Sequence, residues 1–288
     1  MCRLFGMTSG SRRSRATFWL LEAPDSLEEQ SRRNPDGTGL GVFRKGGTPE
    51  VRKQPLAAFE DATFVREAMQ AESTTFVAHV RYATNGAVET RNTHPFAMAG
   101  RLFAHNGVIG AVDQLEARLG PDVAMVAGDT DSERYFALIT RETAKAGGDV
   151  AAGIAAAALW IAGTLPVWSI NFVLVTPDDL WAFRYPETRE LYVLERDAGG
   201  PHGGRHLDLA GTGKTVRVRS EHLKDLPAAV VASEPMDENP GWRLLEVGEL
   251  LHVGPDLAVH STTLIDHPPA RRLTLDGAAG AKPGTPAG

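Results

Sequence analysis

Cys2 is the residue of this sequence with the clearest chemical potential, because it is the only cysteine and directly follows Met1. Removal of Met1 would leave Cys2 with both a thiol and a free α-amino group. An α-amine has an ordinary pKa of about 8, so it can serve as base for the thiol of its own residue. A cysteine can also stand at this position by chance. The N-terminal nucleophile is therefore a hypothesis that other residues have to support.

Polar residues in the first half of the chain supply what hydrolysis of a side-chain amide by Cys2 would need. The Asn106 amide and the N–H of Gly107 could donate to the oxyanion of a tetrahedral intermediate. Arg81 could hold the α-carboxylate of an amino-acid substrate, and Asp131 could hold its α-ammonium group. Each of these residue types has commoner structural roles. Together they predict a site for amide hydrolysis.

The elements that must position these residues can be predicted from local patterns. Alternating apolar residues indicate strands over 74–84 and 100–108, and an apolar run indicates a strand over Arg3–Thr8. The sequence Thr130-Asp131-Ser132-Glu133 has the form of a capping box, which predicts that Thr130 caps a helix over Asp131–Lys145. The site would then be built from two strand ends and the start of one helix.

The rest of the chain divides into a helical middle and a strand-rich second half. Further helices are expected over 17–21, 26–33, 60–71, Val112–Leu119 and 150–162, and further strands over 42–44, 169–176, 180–185, 191–195, 206–209, 215–219, Ala228–Ala232 and 250–253. Strands, then helices, then strands favour sheets with helices packed outside them over alternating βαβ units.

Five motifs follow one another along the chain. They are Cys2, Arg81-Tyr82-Ala83-Thr84, Asn92-Thr93-His94-Pro95, His105-Asn106-Gly107 and Asp129-Thr130-Asp131-Ser132-Glu133. In this order they resemble the motifs of the class II glutamine amidotransferases, a family of N-terminal-nucleophile hydrolases. The resemblance extends over about residues 2–260. The segment from Val230 to Trp242, with its Ala-Ser-Glu-Pro and Asn-Pro-Gly-Trp runs, is similar to stand-alone members of the family.

The resemblance implies an α+β fold, a four-layer αββα sandwich of two mainly antiparallel sheets. It implies one domain over residues 2–266, and the Pro/Gly/Ala-rich segment 267–288 is expected to be a disordered tail. No metal and no cofactor are implied. The implied roles are nucleophile for Cys2, oxyanion hole for Asn106 and Gly107, and substrate binding for Arg81, Thr84 and Asp131.

The implied reaction is attack of Cys2 on the side-chain amide of L-glutamine, with release of ammonia through a γ-glutamyl thioester. A synthase subunit could receive the ammonia. A first alternative is hydrolysis of a larger γ-glutamyl compound, of the ergothioneine-pathway or glutathione-like kind. Thr38, where many relatives have tryptophan, would leave room for such a leaving group. A second alternative is a non-catalytic regulatory subunit that keeps the fold.

Three histidines, His79, His94 and His105, are interpreted as packing residues, since the family's base is the α-amine. Asn85 departs from the histidine that many relatives carry. Two further patterns are rejected as sites: the turn-like 211–215 lacks the first glycine of a phosphate-binding loop, and the polar 202–206 lacks partners for a metal.

Composition narrows the class of protein. The net charge of −6 and the pI of about 5.9 argue against a nucleic-acid-binding surface. A single cysteine cannot form an internal disulfide bond. The start of the chain lacks a basic segment followed by a long apolar run, and the apolar residues 17–21 are too few to span a bilayer. We therefore expect a cytoplasmic protein with a small-molecule substrate, without nucleic-acid or membrane partners.

Overall fold

The computed structural model describes residues 2–83, 86–198, 208–210, 217–219 and 226–275. Most of its strands belong to two large sheets. The strands are β1 Arg3–Thr8, β2 Thr38–Phe43, β3 Pro49–Gln54, β4 Thr75–Val80, β5 Phe96–Met98, β6 Arg101–Ile109, β7 Pro166–Val175, β8 Leu180–Phe183, β9 Tyr192–Arg196, β10 Asp208–Ala210, β11 Arg217–Arg219, β12 Ala228–Ala232, β13 Arg243–Leu244, β14 Glu249–Val253, β15 Val259–Thr263 and β16 Arg271–Arg272.

Five α-helices flank these sheets in the described part of the chain. They are α1 Leu27–Ser31, α2 Ala62–Gln70, α3 Val112–Leu119, α4 Asp131–Lys145 and α5 Val150–Thr164. Shorter helical turns occur at Phe18–Glu22, Ala58–Glu60, Thr90–Asn92 and Gly120–Met125.

The first sheet has the strand order β13-β9-β12-β1-β4-β2-β3, and the second has the order β15-β14-β8-β7-β6-β5. Consecutive neighbours in both orders are antiparallel, and β16 adds a parallel pairing at β7. The strands β10 and β11 form a separate two-stranded pair. The sheets are thus mainly antiparallel, as the resemblance implied.

Three apolar cores show how the layers are stacked. One core packs α3, α4 and α5 against the second sheet, with Phe136 stacked on Phe103 at 4.9 Å between ring centroids. A second core packs α1, α2 and the turn Phe18–Glu22 against the first sheet. A third core lies between the sheets and includes Leu4 of β1 and Val173 of β7. The order of layers is helix, sheet, sheet, helix, which confirms the αββα sandwich.

Both faces of the central strands are buried, because each sheet is covered on one side by helices and on the other by the second sheet. In β1, Leu4 packs between the sheets while the neighbouring Phe5 packs against the helical layer. Every residue of β4 is likewise buried. Such strands read as continuous apolar runs in sequence. This is why Arg3–Thr8 was predictable as a strand although it lacks clear alternation.

The structure extends and corrects the expected elements. The helix Asp131–Lys145 and its Thr130 cap are confirmed, with the Thr130 hydroxyl accepting from the Glu133 N–H at 3.3 Å. The strand expected over 74–84 ends at Val80, so Arg81 follows the strand. Five strands were missed. They are β3, β5, β13, β15 and β16, which are short or mostly polar.

The expected start of the disordered tail at residue 267 is also corrected. Arg271–Arg272 pairs with Pro166 and Val167 of β7, and the Leu273 N–H donates to the Val167 carbonyl at 2.9 Å. Backbone pairing with a buried strand overrides the Pro/Gly-rich composition of this segment. Residues 276–288, the patterns 202–206 and 211–215 discussed above, and Asn85 lie outside the described residues.

Candidate active site

The Cys2 side chain lies at the start of β1, beside the end of β4, because Arg3 pairs with Val80 in the sheet register. Its sulfur sits within 3.3 Å of both the N–H and the carbonyl oxygen of Tyr82. Removal of the sulfur from water raises the pKa of the thiol, whereas the Tyr82 N–H and the positive charges of Arg81 and Arg3 act in the opposite direction. Burial has the largest effect, so the pKa of the thiol lies above its ordinary value, and the Tyr82 N–H and the two guanidinium groups offset only part of this rise.

Arg81 is the first residue after β4, and it is buried. Its terminal nitrogens donate to the carbonyl oxygens of Ala87 at 3.0 Å and Gly86 at 3.2 Å. Burial lowers the pKa of Arg81, and the negative charges of Cys2, Asp36 and Asp131 oppose this effect. The same guanidinium thus supports a loop and lies among the acidic groups of the site.

Asn106 and Gly107 lie in β6, directly across the gap between the sheets from Cys2. The Asn106 Nδ2 donates to the Cys2 carbonyl oxygen at 3.0 Å. An amide nitrogen carries two hydrogens, so this contact leaves the second for another acceptor. On the other side, the Ser169 hydroxyl donates to the Asn106 carbonyl at 3.0 Å and fixes the strand position.

Gly107 is a position where only glycine fits. A Cβ built there would stand 1.8 Å from the Ser169 carbonyl oxygen and 2.6 Å from the His105 Nε2. Because the clash is with backbone atoms of Ser169, a side chain at this position would force β6 to shift relative to β7. The glycine therefore lets β6 pass close to its neighbour beside Asn106.

Asp131 starts α4, and its carboxylate is buried. The Oδ2 atom accepts from the Ile109 N–H at 2.7 Å, which ties the helix start to the end of β6. The sequence predicted an ammonium-binding role and did not anticipate this backbone contact. The Ser132 hydroxyl also donates to its Oδ1 atom at 3.4 Å, and a carboxylate has several acceptor positions, so a further donor can be accommodated. The position of Asp131 beside β6 is thus fixed by the fold itself.

Two other expected residues can be placed relative to this cluster. Thr84 lies outside the described residues. Thr38 is fully buried on the same face of β2 as Leu40 and Val42, which pack against the helical layer. Successive residues of a strand point to opposite faces, so the Thr38 side chain does not face the gap between the sheets. The idea that Thr38 widens the site for a leaving group is therefore wrong.

The structure also adds charged residues that sequence reasoning did not assign to the site. The Asp36 carboxylate accepts from the Ala83 N–H at 3.0 Å and orders the chain after Arg81. Arg3 forms an ion pair with Glu234 at 2.7 Å and also donates to the Cys2 carbonyl at 3.3 Å. Asp36 stands in the glycine-rich turn and Glu234 in the Ser-Glu-Pro run, so both lie in segments whose composition stood out.

The three histidines are buried near the cluster, as expected for packing residues. The rings of His79 and His94 are in contact, with centroids 4.2 Å apart and planes tilted by 40°. Burial lowers the pKa of His79 to about 3, and the positive charge of Arg81 acts in the same direction. The His105 Nδ1 lies 2.9 Å from the Ser132 hydroxyl and its Nε2 lies 3.2 Å from the Ser169 carbonyl. None of their described ring contacts involves the Cys2 sulfur.

Within the described ranges, side chains of the metal-ligating kinds do not assemble into a group of three or more that could hold an ion. Over the same ranges, no helix has the length and apolar character to cross a bilayer.

Comparisons with known proteins bear on the family. An uncharacterized protein of Methanocaldococcus jannaschii is 28% identical over 251 residues, which cover 79% of this chain and 63% of that protein. A putative glutamine amidotransferase of Escherichia coli is 25% identical over 258 residues, covering 86% of this chain and 96% of that protein. A glutamine–fructose-6-phosphate aminotransferase of Mycobacterium bovis is 33% identical over 121 residues, but these represent only 19% of its length. The match thus spans less than two thirds of the first relative.

Solved structures give the same fold. The glutamine phosphoribosylpyrophosphate amidotransferase of B. subtilis, complexed with ADP and GMP, superposes with a TM-score of 0.63 at 20% identity, over 93% of this chain and 50% of that one. A glutamine aminotransferase class-II domain protein from Silicibacter pomeroyi has a TM-score of 0.59 at 18% identity, over 91% and 99%. At these identities the likeness concerns the fold alone.

The model of the class-II glutamine amidotransferases matches residues 1–271, which is nearly the whole described chain. This match agrees with the four-layer sandwich described above. The chain belongs to the class II glutamine amidotransferase family.

Proposed function

We propose that this protein hydrolyses the side-chain amide of L-glutamine through Cys2, after removal of Met1 has freed the α-amino group. The observation that carries the proposal is the grouping around the thiol. The Tyr82 N–H contacts the sulfur at 3.3 Å, and Asn106 donates to the carbonyl of Cys2 at 3.0 Å. A nucleophile, an amide donor and a buried guanidinium thus meet in the gap between two sheets.

The proposed reaction has two halves. The α-amine takes the thiol proton, and the sulfur attacks the Cδ atom of the glutamine side chain. Asn106 and the Gly107 N–H stabilise the resulting oxyanion. The C–N bond then breaks, the ammonium form of the α-amine returns its proton to the departing nitrogen, and ammonia leaves behind a γ-glutamyl thioester. In the second half the α-amine deprotonates a water molecule, which attacks the thioester carbon. The C–S bond then breaks, the ammonium form of the α-amine returns the proton to the Cys2 sulfur, and glutamate leaves.

Substrate recognition is assigned to the groups that flank the thiol. Arg81 would bind the α-carboxylate of glutamine, with Thr84 assisting, and Asp131 would bind the α-ammonium. Arg81 is held in place by its bonds to the carbonyls of Gly86 and Ala87, and Asp131 by the Ile109 N–H. Both charges are therefore pre-positioned, which reduces the entropy that binding would cost.

The fate of the ammonia is part of the proposal. Two of the similar proteins, the glutamine–fructose-6-phosphate aminotransferase and the glutamine phosphoribosylpyrophosphate amidotransferase, are much longer than the matched region. By analogy, a separate synthase subunit could receive ammonia from this chain. The putative glutamine amidotransferase of Escherichia coli, whose length is matched almost completely, supports a stand-alone hydrolase instead.

The test is glutamate release from L-glutamine by purified protein, with the N-terminal residue established by mass spectrometry. Turnover is expected when Cys2 is the first residue. Protein that retains Met1 is the matched control and should be inactive, because its α-amine is no longer on Cys2. Equal turnover by both forms would contradict the role of the α-amine.

A further inference from the structure

Arg189 is a cation at the site that the proposed reaction does not use. It lies in the segment between β8 and β9 and is half-buried. Its guanidinium carbon stands 4.3 Å from the centre of the Trp168 ring. Its Nε is buried without a hydrogen-bond partner among the described residues. A desolvated N–H without an acceptor is costly, so its retention calls for an explanation.

The charged side chains near Arg189 do not neutralise its positive charge. Among the described residues, no carboxylate lies within ion-pair distance of Arg189, whereas Arg3 at the same site is paired with Glu234. Burial lowers the pKa of Arg189, and the positive charge of Arg3 adds to this effect. Ionisation of the Cys2 thiol would act in the opposite direction and raise the pKa of Arg189.

Arg189 and Arg81 are carried by different sheets. Arg81 follows β4 of the first sheet, while Arg189 stacks on a residue of β7 in the second sheet.

The segment that carries Arg189 is firmly attached to the strand beside the proposed oxyanion hole. The Asn171 Nδ2 donates to the Arg189 carbonyl at 3.2 Å, and Asn171 is the register partner of Asn106 in β6. The Thr188 hydroxyl donates to the Trp168 carbonyl. Trp168 itself is the extra residue where the register of β6 and β7 shifts. Such bulges re-aim side chains, and they are common beside active sites.

We propose that Arg189, stacked on Trp168, binds a carboxylate on the amine half of a γ-glutamyl amide substrate. This inference rests on the proposed function. Once Arg81 and Asp131 hold the glutamyl half, the leaving amine must point away from them, across Cys2. A cation on that side matches an anion carried by the leaving group. The substrate class is then a γ-glutamyl amino acid or peptide, in which ammonia is replaced by an amine bearing a carboxylate.

The experiment compares three substrates: L-glutamine, γ-L-glutamylglycine and the neutral γ-L-glutamylglycinamide. The last two differ in one group of the leaving amine, which is a carboxylate in glycine and a neutral carboxamide in glycinamide. We expect kcat/KM for γ-L-glutamylglycine to exceed that for the glycinamide by about 10- to 100-fold, the range of one charged hydrogen-bonded contact. Arg189→Met should remove most of this advantage, while kcat/KM for L-glutamine and for the glycinamide should stay within about threefold of the wild-type value. Arg189→Lys should restore part of the advantage.

Arg44→Met serves as the matched control, since it removes one exposed surface arginine paired with Glu50 and should change no ratio. Equal rates on the two dipeptide analogues by the wild type would overturn the carboxylate subsite alone. An equal loss on all three substrates in Arg189→Met would also overturn it, by indicating a structural role. Absence of turnover of every substrate, glutamine included, by protein that begins at Cys2 would overturn the proposed function and the inference with it.

Discussion

Arg81 and Arg189 are two guanidinium groups near one thiol, and they differ in almost everything else. Arg81 is buried, donates to two carbonyl oxygens of the following loop and lies among acidic side chains. Arg189 is half-buried, stacks on Trp168 and has no carboxylate partner among the described residues. The first side of the site is built so that its charges are already balanced, whereas the second side still carries an unbalanced positive charge.

This difference suggests that Arg81 contributes to both folding and substrate binding, whereas Arg189 contributes to substrate binding alone. A balanced and hydrogen-bonded charge contributes to folding as well as binding, so its removal should affect both. A cation without a protein partner contributes little to folding, so its removal should affect only substrates that carry the complementary charge. The following predictions test whether the two sides of the site can be separated in this way.

The largest effect is expected for Cys2→Ala, because both sides of the site act through the same sulfur. Turnover of every γ-glutamyl substrate should fall by at least about 10³-fold, since loss of a nucleophile removes the covalent route. The melting temperature should stay near that of the wild type, as the change removes one sulfur atom. The check is a rate assay combined with thermal unfolding. Full activity in this variant would contradict the mechanism.

Arg81→Ala should produce the next largest effect and should act on every substrate alike. Loss of a charged bidentate contact predicts a rise in KM of about 10²-fold with a smaller change in kcat. The variant should also lose about 1–3 kcal/mol of unfolding free energy, because the carbonyls of Gly86 and Ala87 lose their donors. Urea unfolding and steady-state kinetics measure the two effects.

Arg189→Met is the partner variant for this comparison. Its unfolding free energy should remain within about 0.5 kcal/mol of the wild type, because methionine can keep an apolar contact with Trp168 and the buried Nε has no hydrogen bond to lose. If it proved as destabilising as Arg81→Ala, the distinction between a structural and a substrate-facing cation would be lost.

The two sides of the site also differ in how much of each could be predicted from the sequence. The site residues of the first side stand in short motifs whose order along the chain indicates the family; they are Arg81, Asn106, Gly107 and Asp131. The capping box at Thr130 predicts the start of α4. These signals are local. The αββα arrangement came from the resemblance, since strand and helix patterns alone favoured only sheets with helices outside.

Arg189 carries no such signal. It stands in a polar segment between two strands, and its importance depends on Trp168, which is 21 positions earlier, and on Cys2 at the other end of the domain. The bulge that re-aims Trp168 appears only in the register of β6 and β7. Asp131 shows the converse limit, because its backbone contact to Ile109 depends on tertiary packing and not on its own neighbours.

Gly107→Ala tests the boundary between the two sides, where β6 meets β7. The added Cβ would lie 1.8 Å from the Ser169 carbonyl, so one strand has to move. Overpacking of this kind costs about 1–3 kcal/mol of unfolding free energy, and activity on all substrates should fall because Asn106 moves too. Gly163→Ala in α5 is the control, since a Cβ there meets no atom within 4 Å and helix propensity should give a slight gain. Equal stability of the two variants would contradict the close approach.

The last prediction concerns the pH dependence of stability that the buried His79 causes. Its pKa of about 3 in the folded protein is below the ordinary value near 6.5, so the unfolded state binds more protons between these values. Stability should therefore decrease as pH falls from 6.5 towards 3. By pH 5 this histidine alone should cost about 2 kcal/mol relative to pH 7, and His79→Leu should remove that part of the loss.

The comparison between variants isolates this contribution, because other groups also titrate in the same range. Unfolding free energies from urea titrations at pH 7 and pH 5 give the difference directly. Phe76→Leu, a change in the same buried strand that removes no titrating group, should lower stability at both pH values while keeping the wild-type slope. If His79→Leu also kept the wild-type slope, the positive charge of Arg81 and the burial of the ring would not be holding His79 neutral. The balanced side of the site would then tolerate an additional buried proton, and the contrast with Arg189 would rest on hydrogen bonds alone.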